Sequence, residues 1–105
     1  MRTESGGIPM SDNVKWTREK ILDEAKQCVC GNREQDYGTP EDNFGRIAEF
    51  WTTYMGVEFS TVDVAIMMAL LKVARIANDQ GHMDNYVDGC GYFCIGGELS
   101  ASERN

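Results

Sequence analysis

Positive charge is scarce in this sequence. Ten Lys and Arg stand against seventeen Asp and Glu, for a formal net charge of −7. A general nucleic-acid binder needs a basic face to neutralise phosphates, so a DNA or RNA polymer is not an expected partner. Long hydrophobic runs are missing as well. No stretch approaches the roughly 20 apolar residues that cross a bilayer. The opening MRTESGGIPMSDN lacks the apolar core of a secretory signal. No membrane association and a cytoplasmic location are therefore expected. Zinc-type spacing is also lacking. Cys28 and Cys30 form a C-x-C, Cys90 and Cys94 a C-x-x-x-C, and the single histidine, His82, lies outside both pairs. Structural zinc sites usually use C-x₂₋₄-C in both halves. Four free thiols are expected, with Cys90 and Cys94 packed as small apolar residues, and no resident cofactor.

What is present fits one soluble helical domain. A chain of 105 residues suffices for one hydrophobic core and not two. Residues 1–13 are polar and aperiodic and read as a flexible arm. Residues 14–99 form the domain, and 100–105 read as a frayed tail. From Lys15 the pattern turns helical, with Trp16, Ile21, Ala25 and Cys28 or Val29 on one face. CGNREQDYG is a polar loop. In GTPEDNF, Thr39 is an N-cap, Pro40 suits the first helical position, and Glu41 and Asp42 favour the positive end of the helix dipole. Phe44, Ile47, Ala48, Trp51 and Met55 then form an apolar stripe that stops at Gly56. Ser60 or Thr61 caps a third helix, apolar around most of its circumference and so expected to be central, and Gly81 is expected to end it. A fourth starts near Asp84 and carries Gly89, Gly91, Gly96 and Gly97, a weak helix that needs its neighbours or a close approach. No alternation of strand type competes. The fold class is all-α, a compact four-helix bundle. A third helix so apolar in so short a chain favours a homo-oligomer.

The chemistry-bearing residues gather in KVARIANDQGHMDNYVDGCGY, Lys72 to Tyr92. Met68, Lys72, Arg75 and Asp79 share one stripe of the third helix; Asp84, Asp88, Tyr92 and Ile95 share one of the fourth, bordered by Asn85. A hairpin at Gln80–Met83 turns these stripes toward each other. Two readings stay open. In the first, the charges are interhelical ion pairs, with Arg75–Asp88 the leading one. In the second, Lys72 and Arg75 hold a phosphate.

The pattern R-x-x-x-YG-x-x-x-x-NF-x-x-IA-x-x-W covers Arg33, Tyr37–Gly38, Asn43–Phe44, Ile47–Ala48 and Trp51. It continues in DVA-x-MMALLK-x-AR from Asp63 to Arg75 and in Asp84, Asp88 and Tyr92. Over residues 18–99 it resembles a family of small phage and prophage proteins of unassigned function. That family is in turn similar to the all-α, MazG-like NTP pyrophosphohydrolases, and would place the protein in the cytoplasm of an infected bacterial host. MazG-like enzymes hold Mg²⁺ with E-x-x-E on one helix and E-x-x-D on the next, and several hard oxygen ligands are what such chemistry needs. Here Arg75 and Asn78 stand for the first pair, and Asn85 and Asp88 for the second. One carboxylate of the four remains, and Arg in such a shell attracts phosphate directly.

The resemblance thus implies a nucleotide pocket without its hydrolytic metal site. The expected function is to sequester a small phosphate-containing signalling nucleotide and so counter host defence. Lys72, Arg75 and Arg33 would contact phosphate. Tyr37, Phe44, Trp51 or Tyr92 would stack on a base, with Tyr37 the better placed because Phe44 and Trp51 lie on the core stripe. Asn43, Asn85 and Asp88 would bond base edges or ribose. The alternative is a Mg²⁺-dependent NTP pyrophosphohydrolase with a shell rebuilt from Glu49, Asp79, Asp84 and Asp88. A second alternative is a helical homo-oligomeric interaction module.

Overall fold

The computed structural model describes residues 14–31 and 38–104, and among these every regular element is a helix. The expected arm at 1–13 lies outside the described residues, as do Arg33 and Tyr37. Helix α1 spans Arg18–Cys30, α2 Pro40–Met55, α3 Thr61–Asn78 and α4 Met83–Arg104.

Local chemistry sets most of the boundaries. Thr17 caps α1 by accepting from the Lys20 N–H, so the helix starts three residues after Lys15. Thr39 caps α2 by accepting from the Asp42 N–H, with Pro40 directly behind it. Gly56 ends α2 at φ 73°, a left-handed conformation that costs glycine no Cβ clash. Ser60 and Asp63 form a reciprocal capping box at α3: the Ser60 hydroxyl accepts from the Asp63 N–H at 3.0 Å, and the Asp63 carboxylate accepts from the Ser60 N–H at 2.9 Å. The α2–α3 turn is braced when the Phe59 N–H donates to the Thr52 hydroxyl at 2.9 Å, and Phe59 meets Trp51 edge-on.

Two boundaries differ from the sequence expectation. Helix α3 ends at Asn78 with Asp79 as its C-cap, before Gly81. Helix α4 runs through Arg104, past the point where a frayed tail was expected. Leu99 anchors that stretch in the core, and the Ser102 hydroxyl donates back to the Glu98 carbonyl, so the last turn continues the helix.

The main core joins α2, α3 and α4 through Phe44, Ala48, Val64, Ala65, Ala69, Tyr92, Ile95 and Leu99. Burying such side chains is worth about 25 cal/mol per Å² of apolar area. Helix α1 closes over the other side of α4. There Ala25 and Val87 are buried, with Trp16, Ile21, Cys28 and Cys90 packed around them. The cysteines are free thiols, and Cys94 is exposed where a packed position was expected, while Cys90 is half-buried.

Candidate functional site at the α3–α4 hairpin

Helices α3 and α4 form an antiparallel hairpin whose register two contacts define. Lys72 Nζ lies 3.2 Å from Asp88 Oδ2. Further from the turn, Gly96 approaches Ala65 so closely that a Cβ there would stand 3.1 Å from the Ala65 Cβ. Both pairs are about equidistant from Gln80–Gly81, so one register accounts for both. At the turn the Tyr86 hydroxyl donates to the Gln80 carbonyl at 2.9 Å. The face α4 turns to the core is then polar near the turn, at Asn85 and Asp88, and apolar beyond it, at Tyr92, Ile95 and Leu99.

The polar half is deeply enclosed. Lys72 and Asn85 are each 3% exposed and Asp88 is 0% exposed. Lys72 points from the centre of the buried face of α3, together with Val64, Ala65 and Ala69. At ~100° per residue, Arg75 falls at the edge of that face and is half-buried. Lys72 pairs with Asp88 here, on the stripe it shares with Arg75. A buried pair holds together because its charges have no water to return to, and it is costly to form for the same reason. Asn85 lies one turn before Asp88, and its Oδ1 is buried without a hydrogen-bond partner among the described residues. Leaving such an acceptor unmet costs about 1–3 kcal/mol.

The other expected site residues distribute as follows. Tyr92 is buried with its ring 6.2 Å from Phe44 at 36°, and Trp51 packs on Phe59. Tyr92 belongs to the core and Trp51 packs partly buried against it. Tyr37 and Arg33 lie outside the described residues. Asn43 is half-buried and its Nδ2 donates to the Gly38 carbonyl at 3.5 Å, a local contact that closes the loop onto the start of α2. Lys72 pairs with Asp88 and is almost wholly buried.

The carboxylates proposed for a rebuilt Mg²⁺ shell are not brought together. Asp79 is exposed at the end of α3, accepting from the Gly81 N–H at 2.8 Å and lying 3.2 Å from His82 Nε2. Glu49 is exposed on α2, Asp84 sits in the first turn of α4, and Asp88 faces Lys72. Among the described residues no three His, Cys, Asp or Glu side chains gather as a metal site would require.

An open groove of about 750 Å³ lies at the far end of the hairpin, lined by Glu49, Thr52, Glu58, Ser60 and Glu103 among others. Sequence reasoning did not single it out, because its residues come from α2, the α2–α3 turn and the end of α4. Its carboxylates would repel a phosphate-bearing ligand. No helix among the described residues is long and apolar enough to cross a membrane.

The class defined so far is an all-α protein built on a helical hairpin with a buried charge pair. The chain belongs to the family described as a domain of unknown function, DUF6378, whose model matches residues 20–100. It is 48% identical over 73 residues to the Gene 55 protein of Mycobacterium phage L5, covering 69% of this chain and 47% of that protein. It is 40% identical over 74 residues to the Gene 55 protein of Mycobacterium phage D29, covering 70% and 49%. The chain spans about half the length of the curated relatives it matches. No solved structure matches it. The phage character expected from the sequence is what these relatives share.

Proposed function

We propose that this protein binds a small phosphate-containing nucleotide at the α3–α4 hairpin and does not cleave it. The observation that carries the reading is Asn85: a buried side-chain oxygen without a partner among the described residues, one turn from a buried ion pair. An amide held at such a cost suits a ligand that brings its own donor, such as the amino or imino edge of a base. The Lys72–Asp88 pair then positions the polar end of α4 and leaves phosphate contact to Arg75 at the rim, whose guanidinium has five donors and serves more than one acceptor. Binding is favoured over hydrolysis because the carboxylates Glu49, Asp79, Asp84 and Asp88 stand apart. The likeness to MazG-like enzymes belongs to this proposal, as does a sequestering role against host signalling, which the phage relatives make a natural setting.

The test is a thermal-shift series on the purified protein with dNTPs, cyclic dinucleotides and ADP-ribose-type nucleotides, each with Mg²⁺ and with EDTA. Released ligand is identified by mass spectrometry. Stabilisation that survives EDTA, returns the nucleotide intact and disappears in Arg75→Ala supports the reading. Pyrophosphate release that requires Mg²⁺ makes the protein an enzyme and overturns it. No stabilisation by any nucleotide leaves the Lys72–Asp88 seam a purely structural feature.

A further inference from the structure

Helix α3 is apolar on the side that faces away from the core as well as on the side that faces it. Ile66 and Met67 are 39% exposed, Leu71 40%, Val73 53% and Leu70 56%. Ala74 and Ala77 are exposed between them. From Ile66 to Ala77 every exposed residue of the helix is apolar, and no charge interrupts the stripe. Phe93 of α4 is 56% exposed. It lies one turn before Gly96, where a Cβ would stand 3.9 Å from Ile66 Cδ1, so it extends the same surface. Six large side chains about half exposed leave on the order of 500 Å² of apolar area, at the top of the ~300–600 Å² that the largest patch of a monomer usually reaches.

The spacing within the stripe says what covers it. Asp63, Ile66, Leu70, Val73 and Ala77 follow one another at intervals of three, four, three and four, the seam along which two helices pack knobs into holes. Asp63 and Ala77 terminate the seam, each seven residues from Leu70 at its centre. Two copies aligned parallel would set Asp63 against Asp63. Two copies aligned antiparallel separate those carboxylates by ~20 Å at 1.5 Å per residue. Each Asp63 then meets the small Ala77 of the other chain, Ile66 falls opposite Ala74 beside Val73, and Leu70 meets its own copy on the axis. One surface, complementary to itself under a two-fold rotation, is the requirement for a closed dimer. Met67, Leu71 and Phe93 flank the seam within that ~500 Å² patch, which places the interface at the small end of specific protein contacts, below the ~800 Å² per partner of a standard one.

We propose that this protein is a two-fold dimer in which α3 packs antiparallel against α3 of a second copy, centred on Leu70. This surface points away from Asn85 and the ion pair, so the proposal stands independently of nucleotide binding. The mass in solution, by light scattering after size exclusion at about 50 μM, is the first reading, and a dimer is expected. Leu70→Glu sets two carboxylates together on the axis and is expected to give a monomer with unchanged helical circular dichroism. Cross-linking fixes the geometry and does not depend on that variant folding. With Cys30 and Cys94 replaced by Ser, Leu70→Cys forms a disulfide-linked dimer on mild oxidation and Asp63→Cys does not. A monomeric wild type, a Leu70→Cys protein that stays uncross-linked, or efficient cross-linking through Asp63→Cys each overturns the proposal.

Discussion

Lys72 and Asp88 set one ammonium against one carboxylate, Nζ to Oδ2 at 3.2 Å, in a part of the hairpin that solvent does not reach. Removing one partner takes that opposite charge away from the other. Lys72→Met and Asp88→Leu are each expected to destabilise by about 3–5 kcal/mol. The double variant is expected to cost less than the two singles together by about 2 kcal/mol or more. Urea denaturation of the four proteins measures this. Additive costs would show that the two charges do not depend on each other.

Gly96 and Gly97 are adjacent, and opposite outcomes are expected when each becomes Ala. A Cβ at Gly97 meets nothing within 4 Å, so Gly97→Ala gains helix propensity and stabilises by about 0.5–1 kcal/mol. A Cβ at Gly96 stands 3.1 Å from the Ala65 Cβ, which is fixed to its own backbone and cannot rotate away. Gly96→Ala must spread the hairpin, and a net loss of about 1 kcal/mol or more is expected. Paired thermal melts decide the matter. A gain at both positions would mean the helices separate at little cost.

Asn85→Leu separates stability from binding. The two side chains are close in size, and Leu removes a buried acceptor that has no partner among the described residues. Without ligand, the variant is expected to melt a few degrees higher, since about 1 kcal/mol shifts a domain of this size by roughly 4–8 °C. Whatever nucleotide stabilises the wild type should lose its effect on the variant. A lower melting temperature would show that Asn85 supports the fold.

Hydrogen exchange should grade the helices. Of α1, only Ala25 is buried, whereas α3 buries Val64, Ala65, Ala69 and Lys72. Amides of α1 are expected to exchange through local opening at a lower free energy than those of α3 and the facing half of α4. Equal protection in α1 and α3 would mean that the two open only together.

How far the sequence discloses this structure depends on the range of the forces involved. Thr39, Pro40, Gly56 and Ser60 act within one turn of chain, and the starts of α2 and α3 and the end of α2 fall where their chemistry places them. The stripes of α2 and α4 were readable from periodicity, apart from Met55, which lies exposed at the end of α2, and so was the meeting of α3 with α4 across a tight turn. The burial of Lys72 against Asp88 was not, because Lys72 and Arg75 lie on the same stripe and only the approach of α4 sets how deeply each is enclosed. The extent of α4 was misread for a similar reason: Leu99 holds its last turns from across the core, where no local signal reports it. An apolar α3 was legible; that one of its sides stays uncovered depends on where α1 and α2 pack, which periodicity does not encode.

The buried pair also acts as a position marker. Apolar ridges tolerate sliding, since one small side chain replaces another with little loss, and α3 and α4 present mostly such surfaces near Ala65, Ala69 and Gly96. A slip of one helical turn, about 5.4 Å, would set Lys72 against Tyr92 and bring Asp88 toward Arg75 in one direction, or set Lys72 against Asp84 and Asp88 against Met68 in the other. Neither charge has water nearby to soften the error. Each slip moves a buried charge away from the group that meets it now, and the one that leaves Asp88 facing Met68 is the more costly.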